Sequence, residues 1–257
     1  MPVIALESRL KECRNVVTLG VKPNFPDYSS HEAALIREAE TIYYPSTYYS
    51  DLFDSVNKKT FPSRQTYKYV QDKIKQTALF QLAGIPHPVT RFFFGTAQKK
   101  NILKYFKFPF IGKIPRGSSM GKGVFLIVNK DELEEYCLFT KTAYIQEYLP
   151  IRRDLRVVVI GRKAVHAYWR IAGDGEFKCN VASGGIIILD SVPHGAVDLA
   201  VFTALSCGWD DVGIDICEYN GNLYVIEANM KYGMEGFKAA GIDYIKLMEK
   251  MIENGEI

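Results

Sequence analysis

Residues 211–237 read DVGIDICEYNGNLYVIEANMKYGMEGF, and everything around this stretch depends on how it pairs. Isoleucine, valine and tyrosine crowd both sides of Asn220-Gly221, the composition of two strands, Val212–Tyr219 and Leu223–Asn229, joined by a tight turn. Glu227 and Asn229 stand two residues apart on the second arm, so their side chains leave the same face.

The turn determines whether Asp215 joins them. Opposed residues of an antiparallel pair share a face, and their numbers add to a constant. A two-residue Asn220-Gly221 loop gives 441 and sends Asp215 to the other face, whereas a three-residue Asn220-Gly221-Asn222 loop gives 442 and sets Asp215 opposite Glu227. The second register also groups Ile214, Ile216 and Ile226 on one apolar face, so it is the expected one. Asp, Glu and Asn oxygens then converge beneath a glycine-punctuated loop. Such hard donors suit magnesium held against a nucleotide's phosphates. A solvated acidic face on a hairpin uses the same residues, and the rest of the chain must separate the two.

A chain of 257 residues, 47% hydrophobic and 24% charged, is long enough for one large core or two modest ones. A net charge of +3 suits an anionic ligand but is too small to argue for nucleic acid, and no nucleic-acid-reading motif is present. The longest apolar runs, Val157–Ile160 and Ile186–Leu189, are too short to cross a bilayer, and MPVIALESRLKE lacks a signal peptide's apolar core. Cysteines 13, 137, 179, 207 and 217 are odd in number and lack C-x-x-C spacing, which points away from a disulfide framework or a zinc site. A cytoplasmic enzyme or binding protein, with no membrane partner, is expected.

Residues 1–61 read as a shortened α/β block: a β-branched run at Asn15–Gly20, a Ser-capped helix over Ser29–Glu40, a strand at Thr41–Tyr44 and a helix over Tyr48–Lys58. It is too short for a full nucleotide-binding fold and has no Gly-rich turn after its strand. Its tyrosines at 43, 44, 48 and 49 read as packing, with a second copy of the chain as one way to cover them. One long helix is expected from Ser63 to Leu82, containing Lys73 and ended by Gly84 and Pro86. A strand (Val89–Phe94), a helix (Ala97–Lys104) and a strand (Phe108–Ile114) follow. That order signals an α+β lobe rather than continued βαβ winding.

Then comes KIPRGSSMGKG, Lys113 to Gly123, followed by a strand over Val124–Val128. The spacing fails the Walker pattern, and a strand rather than a helix follows, so no helix N-terminus meets a phosphate here. A hairpin loop carrying Gly117, Gly121 and Gly123 forms either a flap whose backbone N–H groups close over phosphates or an ordinary hairpin tip. Lys113 enters on the preceding strand. Beyond a helix at Asp131–Phe139 and the strand AYIQEY, Asp154, Arg156 and Arg170 fall where they can share one sheet face, as a surface ladder or as a grip on phosphate.

In this order the motifs resemble the ATP-grasp superfamily, and within it the RimK-type carboxylate–amine ligases, over about Ser63 to Glu253. DKIKQTALFQLAGIPHPVT is similar to the family's opening, with Lys73 at an ATP-contacting position. GKIPRGSSMGKGV is similar to its lysine strand and glycine flap, and IQEYL to the linker between lobes. The resemblance implies that Glu147 and Leu149 meet adenine through their backbone, that Tyr148 flanks it, and that Asp154 takes the ribose. RDLRVVVIG is similar to the D-x-R strand, with Arg156 facing the phosphates. WRIAGDGEFKCNVASGG supplies Arg170, Lys178 and Asn180, while Ile171 and Ser183 replace basic residues of the pattern. Asp215, Glu227 and Asn229 match the magnesium ligands, and Tyr232 stands at a usual proline position.

The implied fold is α+β: an ATP-grasp fold of two lobes, residues 62–144 with the flap and 145–257 with the metal site, preceded by the shortened domain 1–61. The implied activity uses ATP and magnesium, with manganese able to substitute, to activate a carboxylate as an acylphosphate and couple it to an amine. The carboxylate belongs to a small molecule, peptide or protein, and the amine or amino acid is the second substrate. Arg156 and Arg170 are the catalytic candidates, Arg170 stabilising the acylphosphate and the oxyanion. A non-catalytic ATP-binding module and a small-molecule kinase are the alternative readings of the same scaffold.

Overall fold

The computed structural model describes residues 2–117, 123–173 and 185–257. Its N-terminal strands β1 (Val3–Ala5), β2 (Val16–Thr18), β3 (Thr41–Tyr43) and β4 (Lys59–Phe61) form a parallel sheet in the order β2-β1-β3-β4. Helices α1 (Ser30–Glu38) and α2 (Ser46–Ser55) supply the crossovers that parallel pairing requires. A capping box starts α1: Glu32 N–H donates to Ser29 Oγ at 3.2 Å, and Ser29 N–H donates to Glu32 Oε2 at 2.7 Å. The sequence pattern anticipates β2 and β3. It misses β1 and β4, although all four strands are equally short, at three residues each.

The single helix expected over Ser63–Leu82 is two, α3 (Arg64–Tyr67) and α4 (Lys73–Ala83). Gln71 between them adopts φ 53°, which no right-handed helix accommodates, and Asp72 caps the new helix by accepting from Lys75 N–H at 3.0 Å. Lys73 is therefore the first residue of α4 rather than an interior one.

The following lobe is an antiparallel sheet, β5 (Thr90–Phe94), β6 (Phe110–Lys113), β7 (Val124–Ile127) and β8 (Thr142–Glu147), in the order β5-β8-β6-β7. Helices α5 (Gly95–Lys99), α6 (Ile102–Tyr105) and α7 (Lys130–Phe139) accompany it, and Phe93, Ile102, Phe106, Phe110, Leu133, Tyr136 and Ile145 form its core. The helix read over Ala97–Lys104 is thus split in two. The opposite face of the sheet carries Lys113, Tyr144 and Gln146 towards α4.

The last sheet has the order β11-β10-β9-β12-β13, all antiparallel, from β9 (Arg153–Ile160), β10 (Lys163–Ile171), β11 (Ile186–Ile188), β12 (Asp211–Tyr219) and β13 (Asn222–Asn229). Helix α8 (His194–Cys207) lies on one face, over Leu155, Val157, Val159, Ile214 and Ile216. It turns Ala196, Ala200, Thr203 and Ala204 inward and leaves Phe202 outside, so its small side chains let the backbone sit close. Trp209 fills the space beyond, edge-on to Tyr69 and Phe80 at 5.5 and 5.8 Å between ring centres. On the other face, Val158 and Ile160 are covered by Leu10 and Tyr43 of the N-terminal block, by Phe237 of α9 (Glu235–Ala239) and by Met248 and Met251 of α10 (Tyr244–Glu253). That cover stops short of Asp154 and Arg156. Half of the face is thereby left to polar chemistry.

The hairpin between β12 and β13 corrects the sequence reading in one respect. Its loop is the two-residue Asn220-Gly221, with φ 49° and 73°, the left-handed pair that an Asn-Gly turn favours. Near the turn, Tyr219 therefore opposes Asn222 and Ile216 opposes Val225, but Asp215 opposes Glu227. A β-bulge at Ile226 shifts the register by one residue. Val225, not Ile226, takes the fully buried place in the apolar cluster beside Ile214 and Ile216.

Candidate active site

The bulge puts Asp215, Glu227 and Asn229 on the face that carries Asp154 and Arg156 of β9 and Arg170 of β10. Register brings Arg156 opposite Asp215, and Arg170 opposite Asp154. The side chains complete the arrangement. Arg156 donates from Nε and Nη2 to the two Asp215 oxygens at 2.6 and 2.7 Å, a bidentate fork. Arg170 makes the same fork with Asp154 at 2.7 and 2.8 Å, and its Nη2 also lies 2.9 Å from Asp215 Oδ2. Asn229 donates from Nδ2 to Asp215 Oδ2 at 3.0 Å, which leaves its amide oxygen for another partner.

Asp154, Arg170 and Asp215 are buried, with Arg156 and Asn229 half-buried at their edge, and that burial sets the electrostatics. Loss of water works to raise the Asp215 carboxyl, but the Arg156 and Arg170 guanidiniums outweigh it and hold it below the usual carboxylate range. Arg170 stays charged: burial opposes its charge, but Asp154 and Asp215 overcome that and raise it further. From the other lobe come two lysines. Lys73 Nζ, on the first turn of α4, lies 3.0 Å from Glu227 Oε1. Lys113, fully buried at the end of β6, is pulled down to about 8 by desolvation, with Glu227 resisting and the Lys73 charge assisting. Four cations thus face three carboxylates across the seam between the two sheets. The balance leaves one positive charge in excess, which suits an anionic ligand.

Helix α4 holds the seam in register. Gln76 Nε2 donates to the Ala228 carbonyl at 2.9 Å, and Ala228 N–H donates to Gln76 Oε1 at 3.2 Å, fixing α4 to β13 beside Glu227. At the next residue, the Thr77 and Tyr144 hydroxyls meet at 2.7 Å and fix α4 to β8. The flap's base is tied to the same helix: Lys73 N–H donates to the Pro115 carbonyl at 2.9 Å, Gly117 N–H to the Gln71 carbonyl at 3.2 Å, and Arg116 Nε to Asp72 Oδ2 at 2.9 Å.

Residues 70–253 match the family model of the RimK-like ATP-grasp domain, 184 positions of the 257. The chain belongs to the RimK-like ATP-grasp family. A probable α-L-glutamate ligase of Parasynechococcus marenigrum is 29% identical over 209 residues, which cover 78% of this chain and 45% of that protein. The chain therefore spans about half the length of that curated relative. Among solved structures, a RimK-domain ATP-grasp protein from Sphaerobacter thermophilus superposes with a TM-score of 0.68 at 18% identity, covering 96% of this chain and 98% of that one. The ATP-grasp ligase PsnB, in a complex with a variant of its minimal precursor, Mg and ADP, gives 0.63 at 19% identity, covering 91% of this chain and 72% of that one. These two share the ATP-grasp fold, which has the α+β architecture expected from the sequence.

Within this ATP-grasp fold the remaining candidates take the following places. Gly117 (φ 68°) and Gly123 (φ 78°) flank the flap, and the Gly123 carbonyl accepts from Ile114 N–H at 2.7 Å. Gly121, Lys178, Asn180 and Ser183 lie outside the described residues. Glu147, Tyr148 and Leu149 carry the chain from β8 towards β9, all half-buried. Glu147 N–H donates to the Val89 carbonyl at 2.9 Å while its carboxylate accepts from Val89 N–H at 2.6 Å, and the Leu149 carbonyl accepts from Ile151 N–H at 2.8 Å. Both Asp154 oxygens are engaged by Arg170. Among the described residues, no group of three or more His, Cys, Asp or Glu gathers round one point. Asp215, Glu227 and Asn229 together offer two carboxylates and an amide on one face. Sequence reasoning missed Gln76 and Asp72. The available signal was a polar residue three positions after Lys73 and an Asp directly before it, the first being what a helix start places under its own first turn.

Proposed function

We propose that this chain is an ATP-dependent carboxylate–amine ligase that releases ADP and phosphate. The observation that carries the reading is the buried charge cluster joining Lys73 and Lys113 of one lobe to Asp215, Glu227, Arg156 and Arg170 of the other. A nucleotide triphosphate is the ligand that exchanges with these internal ion pairs. Lys73 and Lys113 would turn from carboxylates to phosphate oxygens. Arg156 and Arg170, held in fixed orientation by their forks, would line the place where the γ-phosphoryl group meets the substrate carboxylate. Carboxylate attack on that phosphorus forms an acylphosphate and expels ADP. An amine then adds to the acyl carbon, and the resulting tetrahedral species expels phosphate.

Magnesium fits the donor set. Asp215, Glu227 and the free oxygen of Asn229 would hold it, and when bound it neutralises charge on the phosphates. The relative described as a glutamate ligase supports an amino acid as the amine. We take residues 1–61, 62–144 and 145–257 as the three working units, and the cytoplasm as their compartment. Cys13, Cys137, Cys207 and Cys217 are free thiols, and among the described residues no helix is long and apolar enough to cross a membrane.

The test is ADP release measured against panels of carboxylates and amino acids, with mass spectrometry of the product. ADP formation that needs both substrates, with an amide product, is the expected result. A stable phosphorylated product formed without amine would establish a kinase instead. Nucleotide binding with no turnover on any pair would establish a regulatory module.

A further inference from the structure

A separate cleft of about 780 Å³ opens where the N-terminal sheet meets the segment after β13. Its walls are the ends of β1 and β2, Pro62 and Tyr67, and Met230–Tyr232, which directly follow Asn229. None of the lysines or arginines of the phosphate-facing cluster lines it. The two sites are nonetheless neighbours along β12. Asp211 lies under the cleft and Asp215 in the cluster, with Gly213 between them. A Cβ on Gly213 would meet both Arg156 Cδ and Tyr232 Cβ at 3.2 Å, so the residue bordering the cleft and the residue gripping Asp215 both close on the same bare glycine.

Arg9 is the cleft's most constrained charge. Its guanidinium sits 4.6 and 5.0 Å from the ring centres of Tyr232 and Tyr244. Nε donates to Tyr244 Oη and Nη1 to the Tyr232 carbonyl, both at 3.1 Å. Nη2 has no hydrogen-bond partner among the described residues, and Arg9 is one of the residues lining the cleft. Asp211 is the nearby buried anion, but its oxygens are occupied by the hydroxyls of Tyr44 at 2.8 Å and Tyr232 at 2.5 Å, not by Arg9. Lys11 and Lys231 add positive charge at the walls. Glu7 opposes them and is itself engaged, 3.3 Å from Lys231 Nζ and accepting from Tyr67 Oη at 3.3 Å. An oriented guanidinium with a spare donor, backed by two lysines, matches a carboxylate.

We infer that this cleft binds a second carboxylate of the substrate, distal to the one being activated, with Arg9 as its anchor. The inference rests on the ligase reading and names the acceptor's class: an extended dicarboxylate. Two to four residues of strand separate Asp211 from Gly213 and Asp215, so the two carboxylates lie roughly 7–13 Å apart. A free aliphatic diacid and a short peptide with a free C-terminal carboxylate share that chemistry.

The test is isothermal titration of the nucleotide-free protein with suberate and octanoate, and with an acetyl-Glu-Ala dipeptide as free acid and as C-terminal amide. Suberate or the free-acid peptide is expected to bind about tenfold more tightly than octanoate or the amide, the worth of one charge-assisted contact. Whichever of the two shows the preference identifies the source. Arg9→Met is expected to abolish the preference, and Lys231→Met, at the exposed rim, to reduce it about threefold, less than one full charge-assisted contact. Arg9→Lys keeps the charge but loses the oriented Nη2 donor, and serves if the methionine variant fails to fold. Equal binding of diacid and monoacid, or a preference that survives in the folded Arg9 variant, overturns the assignment. Because binding is read without ATP, absence of turnover would defeat the ligase reading alone, and absence of the preference would defeat this inference alone.

Discussion

Replacing Asp215 with asparagine preserves its shape and removes its charge, and the structure gives the change a size. The carboxylate receives Arg156 at 2.6 and 2.7 Å, Arg170 at 2.9 Å and Asn229 at 3.0 Å, in a site closed to water. Breaking a buried ion pair from one side costs about 3–5 kcal/mol, because the partner's charge remains buried and uncompensated. Asparagine keeps one acceptor oxygen and Arg170 keeps Asp154, so the lower end applies, about 3 kcal/mol. At roughly 2–4 °C per kcal/mol for a chain of this size, the melting temperature should fall by about 6–12 °C. Differential scanning calorimetry of the nucleotide-free protein at pH 7 measures it. The drop should persist at high salt, since a buried pair is poorly screened. Turnover assayed well below the variant's melting temperature should also be lost. A melting temperature within about 2 °C of wild type would refute the reasoning, since it would mean that Asp215 is solvated rather than clamped.

Lys113, at about 8, is largely neutral at pH 9 in the free protein, so a phosphate that restores its ammonium must draw a proton from solution. Titrating ATP at pH 9 in buffers of different ionisation enthalpy should show uptake approaching one proton, absent in Lys113→Met. The stability sign follows: burying the charged lysine penalises the free protein below about pH 8, and the penalty fades as pH rises towards the unfolded value. Asp211, pushed up to about 6 by burial, works in the same sense as any raised acid, favouring the folded state at low pH and losing that contribution as pH rises through 6. Asp211→Asn should flatten the urea-denaturation midpoint between pH 4 and 7 by about 3 kcal/mol of pH-dependent stability. Deleting Ile226 closes the hairpin into one continuous register, with Val225 still opposite Ile216 and Glu227 still opposite Asp215, so ATP-dependent turnover and the Lys73–Glu227 pair should both survive; loss of turnover in the folded variant would show that the bulge itself shapes the site.

The parts of this protein that follow strict local rules were readable from its residues. Alternation in RDLRVVVI separates Asp154 and Arg156 from Leu155 and Val157, and the structure keeps that separation. Asp215 is expected opposite Glu227 and lies there, but through a bulge rather than a longer loop: turn chemistry favours Asn220-Gly221, and the bulge restores the face. Three features were hidden for physical reasons. Helix α8 buries alanines and exposes Phe202, the reverse of an apolar stripe, because its constraint is closeness rather than greasiness. The break before α4 depends on Gln71 in a left-handed conformation, which a glutamine does not advertise. The Arg9 cluster joins residues more than two hundred positions apart, and no window along the chain contains it.

The bulge at Ile226 makes the hairpin a ruler with a half-step in the middle. Residues from the tip to Val225 count their sides from one origin, and those from Glu227 onward from another. A relative with one more residue at the tip would already have the parity that places both acids together, and would have no use for the irregularity. Tip length and bulge are thus interchangeable routes to the same alignment: with the number of residues between the acids held fixed, a chain that carries both, or neither, should hold them on opposite sides.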